Sequence, residues 1–145
     1  SWDVSKVTNM FRMFTDAESF NQYIGDWDTS NVTNMNSMFN RCTDLDQSFE
    51  KWDMSKVTDM NNFFKSTGMP FGTDTDSLDK TIIGWANPTT YGNPPLSDYQ
   101  KNNSFVLNIN AKGDLGNSAQ NAVNTLCSDP PSWNVKNNAG SSICS

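Results

Sequence analysis

Any chemistry in this chain has to come from carboxylates, thiols and thioethers, because its 145 residues include no histidine. That absence removes Ser-His-Asp and Cys-His catalysis, His-ligated zinc and the usual proton shuttle near neutral pH. Of the sixteen carboxylates only Glu18 and Glu50 are glutamates. The pairs Asp26-x-Asp28, Asp44-x-Asp46 and Asp74-x-Asp76 invite a calcium reading, since hard cations take several oxygen ligands. Asp28 shares a repeating column with Asp3 and Asp53, where turn capping uses the same side chain. The weak Ca²⁺ candidate that remains is Asp74, Asp76 and Asp79, and it lacks the central Gly and terminal Glu of an EF-hand loop. The methionines recur at helical spacing, which suits core packing better than soft-metal ligation. No cofactor is expected.

Charge narrows the partners. Ten Lys/Arg against sixteen Asp/Glu leave a net charge of −6, too few cations to exchange for phosphate counterions, so no nucleic acid is expected. No run approaches the roughly 18 apolar residues that a membrane span needs, so no membrane insertion is expected either. No signal peptide is visible. Only 35% of residues are hydrophobic, little for an ordinary globule but enough for a repeat that buries a few fixed columns.

The elements that would position these residues come from such a repeat. Trp2, Trp27 and Trp52 stand 25 apart and head WDVSKVTNMFRMF (2–14), WDTSNVTNMNSMF (27–39) and WDMSKVTDMNNFF (52–64). The apolar columns Val7/32/57, Met10/35/60, Met13/38 with Phe63, and Phe14/39/64 recur at i, i+3, i+6 and i+7, one face of a short helix. The preceding Asp-x-Ser-x-x-Thr supplies acceptors for free backbone N–H groups and predicts a turn into that helix, with the Ser5/30/55 and Thr8/33/58 ladders as caps. Short strands are expected near 23–28 and 47–53. The expected fold is therefore an α/β solenoid, a leucine-rich-repeat-like stack of strand–turn–helix units. Residues 1–66 carry the repeats and 67–145 the degenerate repeats and an α/β C-terminal cap, in one continuous domain. Within 67–145, helices are predicted from Ser77 and over 117–127, and strands over 105–109 and 133–135. Because the chain starts inside a repeat, it is expected to come from a longer array.

The pattern W-D-x-S-x-V-T-x-M-x-x-M-F, the stretch Phe20-Asn21-Gln22-Tyr23-Ile24-Gly25-Asp26-Trp27, and Met38-Phe39-Asn40-Arg41-Cys42-Thr43-Asp44-Leu45 resemble the BspA-like leucine-rich-repeat surface proteins, specifically their 25-residue lipoprotein-type repeat. The Ile-Ile-Gly-Trp-Ala segment at 82–86 resembles the tail that follows such repeats in some members. The resemblance covers about residues 1–66 and implies an extracellular or cell-surface protein used for adhesion or protein binding. It carries no catalytic residues over, and a stack of repeats offers a ladder rather than the cleft a glycosidase needs. No enzyme is expected.

In such a chain Cys127 and Cys144 would close a loop of about 17 residues with a disulfide worth roughly 3 kcal/mol. Cys42 shares a column with Ala17 and Thr67 and is expected to be an unpaired core thiol. The expected ligand is a protein or glycan held on the strand face by Gln22, Tyr23, Asp26, Gln47, Ser48, Glu50 and Lys51, with Tyr23 as the exposed aromatic. The alternative is a structural spacer with no ligand of its own. Asn31-Val32-Thr33 and Asn102-Asn103-Ser104 are glycosylation sequons, frequent by chance in a chain this rich in Asn.

Overall fold

The computed structural model describes residues 2–70, 72–73, 75–94, 105–109, 116–128 and 133–137. The expectation of an α/β solenoid built from strand–turn–helix units is overturned. Among the described residues the repeats contain no helix and no strand, only turns joined by the isolated parallel bridges Asn9–Asn34 and Asn34–Asp59.

The reason lies in the backbone of each copy. An α-helix needs every N–H to reach the carbonyl four residues back. Here Met13, Thr15 and Ala17 instead donate three residues back, to Met10, Arg12 and Phe14. Between them, the N–H groups of Met10, Arg12, Phe14 and Asp16 leave the copy and donate to the carbonyls of Asn34, Asn36, Met38 and Asn40 at 2.8–3.0 Å. The second copy treats the third alike: Met35, Ser37, Phe39 and Arg41 donate to Asp59, Asn61, Phe63 and Lys65. Alternating donors of this kind require left-handed residues. Arg12, Asp16, Ser37, Arg41, Asn62 and Ser66 all have φ between 56° and 66°, which breaks any helix. The expected strands fail as well, because Trp27 donates to Ile24 and Trp52 to Phe49 in tight turns.

The apolar columns still meet, copy on copy. Phe14, Phe39 and Phe64 stack at centroid distances of 5.6 and 6.1 Å, and Trp2, Trp27 and Trp52 at 6.1 and 6.4 Å, within the range of favourable offset stacking. Val32, Met35, Met38, Phe39, Leu45, Phe49, Val57 and Phe63 are fully buried. Val4, Thr29 and Met54 form a further inward column that the repeat pattern does not single out, since Thr29 interrupts its apolar character. Cys42 is buried as expected, a free thiol that donates to the Phe14 carbonyl at 3.0 Å; burial pushes its pKa up to about 11.

Helix α1 (Ser77–Ala86) then covers the third copy. Its Trp85 stacks on Phe64 at 6.0 Å and so occupies the fourth place of the phenylalanine column. The Trp85 indole donates to the Phe49 carbonyl at 2.9 Å, just as Trp52 donates to Ile24 at 3.1 Å. Thr81 accepts from the Phe49 N–H at 2.9 Å. A short 3-10 turn (Pro88–Tyr91) follows. Helix α2 (Asn117–Cys127) packs on α1 through a face containing Ala119, Ala122, Val123 and Leu126. Strand β1 (Phe105–Ile109) pairs in parallel with β2 (Trp133–Asn137), Leu107 opposite Val135. Buried Asp79 of α1 accepts from Gly72 N at 2.8 Å and Gly116 N at 3.4 Å, tying the approach to α1 to the start of α2.

Gly84 allows α1 to sit this close, because a Cβ there would lie 2.4 Å from the Cβ of Glu50 and 2.5 Å from its carbonyl oxygen. Alanine would gain about 0.5–1 kcal/mol of helix propensity but cost about 1–3 kcal/mol of overpacking against backbone that cannot give. Gly84→Ala should therefore lower Tm by several degrees in a thermal melt, and an unchanged or raised Tm would show that α1 does not dock against Glu50.

Candidate functional site

The structure engages the expected binding residues differently. Tyr23, Asp26 and Lys51 come together: the Tyr23 hydroxyl donates to Asp26 Oδ1 at 2.9 Å, and Lys51 Nζ reaches the same oxygen at 2.9 Å. The turn Ile24–Trp27 sets this up by bringing Asp26 under the tyrosine ring, while the 25-residue register places Lys51 directly above Asp26. Gln22 is exposed beside them. Gln47 is spent elsewhere, its amide donating to the carbonyl and side-chain oxygens of Asn21 at 3.1 and 2.9 Å. The Ser48 carbonyl packs against Gly25, and Glu50 presents its backbone to Gly84. Of these three, Gln47 links copies through its side chain, while the contacts of Ser48 and Glu50 are made by their backbone or Cβ.

Hydrogen bonding sets the titration of the cluster. The Asp26 carboxyl is held below its ordinary value, first by Lys51 and then by Tyr23, while the Tyr23 phenol and the Lys51 ammonium are both raised by Asp26. All three are exposed, so the ion pair adds little to stability. It fixes the tyrosine ring in place.

The ring forms one wall of a cleft of about 460 Å³, whose other walls include Trp2, Trp27, Asp3, Asp26 and Asp28. Asp3 and Asp28 are positioned by their turns, with Oδ1 accepting from the N–H of Ser5 and Ser30 at 3.0 Å. The serines beside them hold both carboxyls below their ordinary range, and Asp3 repels Asp28. Trp2 and Trp27 are not among the expected binding residues, because a column shared with Trp52 gives no sign in sequence of which member is exposed. Trp52 is buried, but Trp2 is 66% exposed. Tyr23 is also not the lone exposed aromatic, since Phe11 and Tyr91 are exposed too.

The remaining expectations resolve unevenly. Asp74 and Cys144, and with them the complete calcium trio and the Cys127–Cys144 bridge, lie outside the described residues, as does Asn102. Asp76 accepts from Thr73 N at 3.0 Å and Asp79 from Gly72 and Gly116, so both carboxylates have structural duties; no cluster of three or more metal-ligating residues occurs among the described residues. The Thr ladder does not cap helices: Thr33 and Thr58 hydroxyls donate to the carbonyls of Thr8 and Thr33 at 3.0 Å, joining copies. The Asn31 amide nitrogen, which glycosylation would modify, donates to the Ser5 carbonyl at 2.8 Å. No helix among the described residues is long and apolar enough to cross a membrane.

The family model described as "Mycoplasma protein of unknown function, DUF285" matches residues 1–83, which take in all three copies and most of α1. The match spans more than half of the chain, which therefore belongs to that family. It does not single out the BspA-like group within such repeats. No curated protein and no solved structure matches the chain.

The Tyr23–Asp26–Lys51 cluster makes a direct prediction. Asp26 has its pKa lowered on folding, so its contribution is present above the unfolded carboxylate value near 4 and is lost as pH falls through the lower folded value. Asp26→Asn keeps an acceptor oxygen but removes the negative charge. Tyr23 should then ionise at lower pH than in the parent, and Lys51 should deprotonate at lower pH, in NMR titrations of the ring and ammonium signals. A Tyr23 titration that does not move would show that the bond to Asp26 is not made in solution.

Proposed function

We propose that this protein is a non-enzymatic binding module, secreted or displayed at a cell surface, that recognises a protein or glycan. The observation that carries this reading is the cleft beside Tyr23, where two stacked indoles and a phenol lie next to the carboxylates of Asp3, Asp26 and Asp28. Apolar ring surface beside a few oriented acceptors is what a polar organic ligand needs: area to cover, and groups that fix its orientation. The absence of histidine and the structural duties of Asp76 and Asp79 support a role without catalysis. The surface location is supported by the residue pattern shared with repeat proteins of cell surfaces.

A spacer role is the second reading, favoured by Gln47, whose side-chain amide is bound to Asn21 of the preceding copy. Screening the protein against arrays of oligosaccharides and extracellular proteins separates the two. A ligand that uses the cleft should bind a Tyr23→Ala, Asp26→Ala double variant at least about tenfold more weakly, a loss of about 1.4 kcal/mol. Binding that survives intact, or no binding by the parent at all, would favour the spacer.

A further inference from the structure

The row of polar contacts that begins at Tyr23 does not stop at Lys51. The Asn93 amide donates to the Lys51 carbonyl at 2.9 Å, and the Asn93 N–H closes back on the Pro88 carbonyl at 3.2 Å. The 3-10 turn Pro88–Tyr91 is thereby fastened beside Lys51, and left-handed Gly92 (φ 78°) reverses the chain between Tyr91 and Asn93. Hydrogen bonds thus join three separate segments: Tyr23 and Asp26 from the end of the first copy, Lys51 from the end of the second, and the turn that follows α1. A tyrosine belongs to each end of the row. Tyr23 is 58% exposed and Tyr91 44%. The Tyr23 ring lies against Gly25, where a Cβ would sit 2.9 Å from its Cε2, so main chain backs a ring that is otherwise open to water. Between the tyrosines the Lys51 charge is matched by Asp26. Gln22, Thr89 and Thr90 are exposed in the same segments.

We infer that this strip binds a linear, uncharged oligosaccharide, with sugar rings on Tyr23 and Tyr91 and sugar hydroxyls on the polar groups between them. The inference rests on the binding-module reading above and names its ligand class. A sugar ring has a face of C–H groups rimmed by hydroxyls. That face can cover a phenol ring and take apolar area out of water, while the hydroxyls need donors and acceptors that are oriented without being buried. The strip supplies both, on turns already closed by their own hydrogen bonds, so little ordering remains to oppose binding. Charge selects among glycans. Lys51 is matched by Asp26 and the chain carries a net −6, so a polyanionic saccharide is repelled. A protein partner is a poorer fit, because protein interfaces gain most from aromatic anchors in desolvated pockets, and these two phenols stand on open surface. A linear ligand follows from the strip running across three segments instead of closing around one point.

The test titrates the whole protein with cellohexaose, chitohexaose and β-1,4-mannohexaose, and with a hyaluronan hexasaccharide as an anionic chain of the same length, following backbone amide NMR signals. Saturable binding of at least one neutral hexamer is expected, moving the amide signals of Tyr23, Lys51 and Asn93 together. Tyr23→Ala and Tyr91→Ala should each weaken that hexamer at least about tenfold. Both side chains are exposed, so Tm should stay within a few degrees and the losses will not reflect unfolding. The inference is overturned if no neutral hexamer binds saturably at about 10 mM, or if the hyaluronan hexasaccharide binds more tightly than all three. Loss of binding in Tyr23→Ala with full retention in Tyr91→Ala would also overturn it, confining the sugar to the cleft beside Tyr23. A protein ligand found on the arrays while no neutral hexamer binds overturns this inference and leaves the binding module standing, whereas the lack of any ligand removes both.

Discussion

Backbone hydrogen bonds between copies are the constraint on which the rest of this molecule depends. Each of the first two copies turns its N–H groups alternately inward, to close a tight turn, and outward, to the carbonyls of the next copy. Buried backbone polar groups must be paired, and with neither helix nor sheet in the repeats this alternation is how they are satisfied. It requires left-handed residues at Arg12, Ser37 and Asn62 and again at Asp16, Arg41 and Ser66, a local cost that the rows of interlocking bonds offset. It also fixes a 25-residue register that brings like side chains over like, so the Phe and Trp columns stack without any helix or strand to carry them.

Such a stack has to be covered at its faces, and the third copy shows how unlike chemistry can do so. Helix α1 cannot supply another row of turns, so it substitutes single groups for single needs. Trp85 takes a place in the Phe column and also makes the indole bond that a tryptophan of the repeat would make. Thr81 answers one backbone N–H, and Gly84 lets the helix come close. Buried Asp79 then connects this helix to the start of α2. Between the first two copies, the Tyr23 phenol and the Lys51 ammonium meet on Asp26, so the same register that stacks the core also joins side chains on the outside of the stack.

Much of this could be read from residues alone. The tryptophan period located the copies, the small-residue column placed Cys42 in the core, and Ser77 marked the start of α1. The turn role of Asp3, Asp28 and Asp53 was legible as well, because an aspartate two residues before a serine suits a side-chain turn closure. The helix expected over residues 7–14 was not there. Apolar residues at i, i+3, i+6 and i+7 fit a helical face, but they equally fit a chain of three-residue turns, and the pattern of side chains cannot tell which carbonyl an N–H will choose. The candidate site was half legible for a related reason. Tyr23, Asp26 and Lys51 are joined by the register that the repeat period implies, whereas the Gln47 amide is bound by Asn21, a neighbour that only the stacked structure brings near.

The sequence by itself determined the period, the columns that must be buried, the acidic and histidine-free chemistry, and hence the narrow range of reactions open to the protein. These are properties of residue type and spacing, and no folding detail changes them. The tertiary structure decided where each backbone donor went, since an N–H is identical in every residue and its partner depends on which carbonyl lies within 3 Å. From that choice followed the absence of helix and strand among the described residues of the repeats, and the use of the Thr ladder as a link between copies.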